Sequence, residues 1–147
     1  MKILQINSNF NRAGGAETVF QNTISLLKDN GCEVISFSKQ NNLFYEISGN
    51  NYFIESSKNK LKKFYWKEAA NKLKQIILIE KPDIAHVHNL IGELSFSILH
   101  VLKKMKIPVV MTVHDFRLLC PTTNFLRKDI SICEKCKYFG VTGRMHH

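Results

Sequence analysis

The chain has 147 residues, 44% of them hydrophobic and 22% charged, with a formal net charge of +9. That length holds one domain with a real core and is short for two. The composition excludes a disordered chain, and no apolar run approaches the roughly 18 residues a membrane-spanning helix needs. The basic balance leaves nucleic acid, an anionic membrane surface and a phosphorylated ligand open as partners.

The N-terminus, MKILQIN, lacks the longer apolar segment and small-residue cleavage site of a signal peptide. It reads as a first strand, which makes the cytoplasm the default location. After the polar stretch 8–12 comes Ala13-Gly14-Gly15-Ala16-Glu17, and then Val19, Phe20, Ile24 and Leu27 recur at helical spacing. Asn30-Gly31 ends that helix, because glycine accepts the left-handed conformation common at helix ends. Residues 33–38 (EVISFS) form a second strand. Strand, glycine-rich turn, helix, strand is a βαβ unit, whose crossover implies parallel pairing.

Residues 39–57 are rich in Asn and Ser and show no clear period; Tyr52-Phe53-Ile54 fits a short strand within a long surface excursion. Such loops commonly carry specificity. From about residue 58 to 80, Leu61, Tyr65, Ala69, Leu73, Ile76 and Ile77 share one helical face, and Pro82 stops the helix. Residues 83–88 (DIAHVH) are another strand, and 91–104 a helix turning Leu94, Ile98, Val101 and Leu102 inward. Residues 108–113 (PVVMTV) are nearly uninterrupted β-prone apolar residues, which predicts a strand covered on both faces. The order β-α-β-loop-α-β-α-β is that of an α/β domain with an open, doubly wound parallel sheet. Residues 122–147 form an irregular, cysteine-containing extension.

Ligands of such sheets bind beyond the carboxyl ends of the strands, and polar groups are aimed there. Gly14 and Gly15, between strand and helix, allow close approach of an anion to free helix N–H groups, or make a tight turn with no ligand. The GxGxxG pattern is absent, which disfavours a nicotinamide cofactor. His86 and His88 share a strand face; mid-strand His86 reads as a hydrogen-bonded core residue. His88 and Asn89 lie at the strand's carboxyl end, where Asn89 either lines a cleft or caps the helix starting near Ile91. His114 and Asp115 end the next strand. A histidine there can bind sugar hydroxyls or phosphate, or act as acid or base; the alternative is a strand-terminating turn.

Cys120, Cys133 and Cys136 form C-x12-C-x2-C, short of the four ligands of structural zinc, so metal ligation and reduced thiols both fit. His146, His147 or a residue outside the chain would have to complete the set. The lysines between 58 and 74, with Phe64, Tyr65 and Trp66, suit an anionic membrane surface or the solvated face of a helix. No nucleic-acid-binding motif accompanies them, which argues against that partner.

Together the segments MKILQINSNFNRAGGAE, KPDIAHVHNL, IPVVMTVHDFRLLCP and ICEKC resemble the N-terminal half of family 4 glycosyltransferases, enzymes of the GT-B fold. They follow the family's order and span nearly the whole chain. They are most similar to the subgroup that builds bacterial capsule, exopolysaccharide or lipopolysaccharide chains. The resemblance implies a Rossmann-like acceptor-side domain of a retaining hexosyltransferase that uses a nucleotide-sugar and a saccharide or lipid-linked acceptor. It implies that Gly14 and Gly15 approach the donor diphosphate, that His114 contacts the transferred sugar, and that Asp115, His88 and Asn89 line the cleft. It implies no required cofactor or catalytic metal, and fits peripheral attachment to the inner membrane face.

The family's second domain, with its nucleotide pocket and E-x7-E motif, is missing from the sequence. The expectation is therefore a truncated single domain, residues 1–147, that is inactive alone. The competing expectation is a non-enzymatic module that binds an anion or zinc, or a folded remnant.

Overall fold

A computed structural model describes residues 1–10, 14–40, 50–55, 65–90, 94–116, 118–120, 123–127 and 129–134. The fold divides into two compact units, Met1–Thr112 and Val113–His147. The division falls ahead of residue 122, where the sequence pattern changes.

The first unit runs β1 (Lys2–Asn9), α1 (Gly15–Asp29), β2 (Glu33–Gln40), β3 (Asn51–Glu55), α2 (Lys67–Glu80), β4 (Ile84–Val87), α3 (Ser97–Lys104) and β5 (Val109–Met111). All pairings are parallel, in the order β3-β2-β1-β4-β5. This is the doubly wound sheet the sequence predicts, with the short strand around Tyr52-Phe53-Ile54 as one edge.

Alternation along β1 sorts the two faces. Leu4 and Ile6 point to a large core completed by Ile35 and Phe37 of β2, Ala69, Leu73, Ile76 and Ile77 of α2, and Ile98 and Leu102 of α3. Phe20 and Ile24 of α1 bury against Val34 on the opposite face. At roughly 25 cal/mol per Å² of apolar surface removed from water, these two cores are the main source of stability. Gly31, at φ 75, lets the chain leave α1 in the left-handed conformation, with Asn30 as C-cap.

Four expectations are corrected. The strand expected over 108–113 is only Val109–Met111, and it is an edge, with Val109 and Val110 41% and 52% exposed. An apolar run reads alike in a covered strand and in an edge strand. Trp66, expected on a surface, is buried and precedes α2, while Tyr65, expected inward, is 55% exposed. The helix expected from Ile91 starts at Ser97, so Asn89 does not cap it. Leu61, Phe64 and the lysines at 58–63 lie outside the described residues.

The starts of the strands are tied by charge. Lys2 Nζ bonds Glu80 at 2.8 Å and Glu33 at 2.7 Å, and the Tyr52 hydroxyl donates to Glu80. The backbone N–H of Lys2 donates to the Asp83 carboxylate at 2.7 Å. Donation from Lys2, then from Tyr52, holds the Glu80 carboxyl below its usual range. Glu33 and Glu80 raise Lys2, and Glu80 raises Tyr52.

Candidate functional site

In the order β3-β2-β1-β4-β5 the chain winds one way from β1 and the other way from β4, so the switch point lies between these two strands. Connections leave β1 and β4 in opposite directions there, opening a crevice at their carboxyl ends. Two loops meet at that place: the one after β1, leading to Gly14, and the one after β4, beginning at His88.

The loops are joined by hydrogen bonds. His88 N–H donates to Ile6 O at 2.8 Å, extending the β1–β4 ladder past Val87. Ser8 N–H and Ser8 Oγ both donate to Asn89 O, at 2.9 and 2.5 Å. Asn7 Oδ1 accepts from Asn89 N–H at 3.2 Å, and Asn7 Nδ2 donates to Asn9 O at 2.8 Å. Asn7 and Ser8 are buried, and each polar atom so engaged avoids the cost of burial without a partner.

Beneath this junction, on the face that carries α1, lies a polar layer. Gln5, Asn7, Ser36, Ser38 and His88 are all buried there. Gln5 Nε2 donates to His86 Nδ1, and Gln5 Oε1 accepts from His88 Nε2, both at 3.2 Å. With Nδ1 accepting, the neutral His86 ring carries its proton on Nε2 and donates to Thr112 Oγ1 at 2.8 Å. The two imidazole centroids lie 4.2 Å apart with the rings tilted by 39°, and Phe20 of α1 meets His88 edge-on at 5.5 Å. His86 is thus the hydrogen-bonded residue the sequence predicts. His88 is fully buried, so it forms the floor of the crevice; Asn89, half-buried, is the member of the pair that reaches its surface.

Gly14 is the N-cap of α1 and Gly15 its first residue, both exposed. The free N–H groups of the first helical turn, with the positive end of the helix dipole, attract negative charge. A β-carbon on Gly15 would meet nothing within 4 Å, so this glycine leaves open space. A β-carbon on Gly14 would lie 3.1 Å from Glu17 Oε2. The buried Glu17 carboxylate therefore folds back over Gly14 and already supplies an anion to the helix N-terminus. A phosphate approaching this loop has its room at Gly15.

Sequence reasoning missed Gln5, Asn7, Ser8 and Glu17. The signal was the run Gln5-Ile6-Asn7-Ser8, whose amides alternate with core residues on a face that a helix covers.

His114 and Asp115 are half-buried and belong to the second unit. So do Cys120 and Cys133, both buried; Cys136 lies outside the described residues, as do His146 and His147. Among the described residues, no three His, Cys, Asp or Glu side chains gather into a group able to hold a metal ion. No helix among them is long and apolar enough to cross a membrane.

Comparison with known proteins adds to this geometry. Residues 13–135 match the model of Glycosyltransferase Family 4. None of the curated proteins matches the sequence. A Staphylococcus aureus MnaA–UDP co-structure is similar, with a TM-score of 0.54, 19% identity, and coverage of 76% of this chain and 28% of that one. An alpha-glucosyltransferase in complex with UDP and DNA containing an HMU base has a TM-score of 0.51 and 14% identity, covering 99% of this chain and 35% of that one. The chain thus spans about a third of the length of these proteins, and at such identities the likeness is one of fold.

Proposed function

The chain belongs to glycosyltransferase family 4, and from that premise we propose that it is the acceptor-side half of a retaining, nucleotide-sugar-dependent transferase of cell-surface polysaccharide synthesis. The observation that carries the reading is the β1–β4 switch point. There the exposed Gly15 at the start of α1 and the half-buried Asn89 flank a junction held by Asn7 and Ser8.

In the reaction, the bond from the anomeric carbon to the nucleotide's phosphate oxygen breaks, and a bond from an acceptor hydroxyl to that carbon forms. The acceptor's proton passes to the departing diphosphate, the base that bond cleavage creates. Gly14 and Gly15 give the donor diphosphate backbone N–H groups, with the contact at Gly15. Asn89 offers a side-chain amide to hydroxyls on the cleft wall. His88 acts from below by holding the β4 loop in place. His114 contacts the transferred sugar and Asp115 accepts from a hydroxyl beside it. No metal ion is required by this scheme. The nucleotide pocket belongs to a second domain, so this chain alone binds donor weakly and transfers little.

The test is titration of the chain with a nucleotide-sugar, followed by amide NMR. The reading expects shifts in the first turn of α1, in the loop after β4 and at His114 and Asp115, weakened by Gly15→Val. Shifts spread elsewhere, or none at millimolar donor, would remove the diphosphate role.

A second reading concerns location. Lys67 and Lys74 of α2 and Lys81 at its end recur at helical spacing on an exposed face that Leu78, 56% exposed, shares. Lysines around exposed apolar side chains suit the inner leaflet, where lipid-linked acceptors reside. Flotation with anionic but not neutral vesicles, reduced in Lys67→Glu/Lys74→Glu, is the expected result; equal flotation with both would exclude it.

A further inference from the structure

The polar layer beneath the crevice holds two imidazoles against a single amide. The ring centroids of His86 and His88 are 4.2 Å apart. Gln5, the register partner of His86 between β1 and β4, reaches both rings: its Nε2 lies 3.2 Å from His86 Nδ1 and its Oε1 3.2 Å from His88 Nε2. A primary amide has a donor end and an acceptor end. Whichever way Gln5 turns, one imidazole faces the NH2 group and must show it a lone pair. The other faces the oxygen and must bring a proton. One amide therefore keeps two rings of the same residue type in opposite roles.

The rings also differ in their surroundings. His88 is 0% exposed, with Phe20 of α1 edge-on at 5.5 Å, whereas His86 is half-buried and has Thr112 Oγ1 at 2.8 Å from its Nε2. Burial penalises the charged form of an imidazole, so a proton entering the layer settles on His86. Thr112 serves the neutral and the charged ring alike, since its oxygen accepts from Nε2–H in both. The elements packed around the pair are α1, β1, β4 and β5. Among their described residues, Asn7 and Thr112 are neutral, and the buried Glu17, one helical turn before Phe20, is the charged side chain turned inward. Lys2 follows Leu4 and Ile6 to the opposite face. A carboxylate attracts an entering proton and does not repel it.

We propose that Gln5, His86 and His88 form a pH-sensitive switch that takes up one proton, on His86, and excludes a second. The proton comes from solvent and bonds to His86 Nδ1, which then confronts the NH2 group of Gln5. The amide turns over, so that Oε1 accepts from His86 and Nε2 donates to His88. His88 gives up its Nε2 proton and gains one at Nδ1, with no net change of charge. A second proton, on His88 Nε2, would meet the turned NH2 group and a neighbouring cation 4.2 Å away. Acid thus reverses the hydrogen bonds under the crevice, and His88, which opens the loop bearing Asn89, brings its donor to Nδ1. The inference rests on bonds within the first unit and does not depend on the transferase reading.

The test is histidine NMR on the whole, unaltered chain labelled with 15N, using long-range proton–nitrogen spectra that report which ring nitrogen carries hydrogen. At about pH 8 both rings should carry Nε2–H; between there and about pH 5, His86 should become doubly protonated. Over the same midpoint His88 should stay neutral and change to the Nδ1–H form, and the side-chain amide protons of Gln5 should shift with it. In Gln5→Glu the carboxylate accepts from both rings, so uptake on His86 should move to higher pH while His88 keeps its Nε2 proton. The proposal is overturned if the unaltered chain charges both rings in that range, charges neither, or charges His88 first. It is also overturned if His88 holds one tautomer while His86 titrates.

Discussion

Ser8 donates twice to the same acceptor, the carbonyl oxygen of Asn89, through its backbone N–H and through its hydroxyl. The pair ties the loops after β1 and β4 just past the last ladder bond, beside the bond from Asn89 N–H to Asn7 Oδ1. Ser8→Ala removes the hydroxyl and leaves the N–H in place. The expected cost is about 1 kcal/mol, read as a lower urea midpoint with an unchanged slope. A cost near zero would mean that the hydroxyl adds nothing to the junction.

The two glycines of the first loop should separate folding from binding. Gly15→Ala places a methyl in open space at a helical position, and stabilises the fold by about 0.5 kcal/mol. On the proposed function the same methyl stands in the path of the donor phosphate, so nucleotide-sugar affinity should fall while thermal stability rises. Gly14→Ala instead brings its methyl to 3.1 Å from Glu17 Oε2, so Glu17 must shift and the gain should be smaller than at Gly15. Equal behaviour of the two variants in both assays would contradict the geometry.

The charge cluster at the strand starts predicts a pH dependence. Because Lys2, then Tyr52, lowers the folded Glu80 carboxyl, its contribution is fully present above the ordinary glutamate value of about 4.3. It is lost as pH falls through the lower folded value. Lys2 and Tyr52 are raised by their carboxylate partners, so their share is present at neutral pH and fades in strong alkali. Glu80→Gln should therefore be less stable than the parent at pH 7, with the difference shrinking on acidification and in high salt. A gap that stays constant down to pH 3 would show that the carboxylate's charge is not what matters.

His114→Ala, made in an enzyme that carries the donor domain, should lower turnover by about tenfold or more. Asp115→Asn should act on acceptor saturation more than on turnover. Wild-type rates with the alanine variant would take His114 out of the reaction.

The parallel sheet and its helices were legible because their signal is periodic. Phe20, Ile24, Leu73, Ile77, Ile98 and Leu102 announce their faces by spacing alone. What could not be read was which face another element covers. Period-2 alternation puts His86 and His88 side by side but is silent about Phe20, which comes from α1 and seals His88 from above. For the same reason the alternation along β1 does not show that Gln5 and Asn7 are buried and bonded to β4 and its loop. Glu17 escaped notice because a first-turn acid is common; only the fold shows it lying over Gly14.

Lys2 reaches Glu80, Glu33 and Asp83 at the end of the sheet farthest from Gly15 and Asn89. The strands are thus anchored at their starts, independently of anything that occupies the other end. The loops after β1 and β4 are left open to change by insertion or exchange without unseating the frame. A fold built this way can acquire a new ligand by altering loops alone.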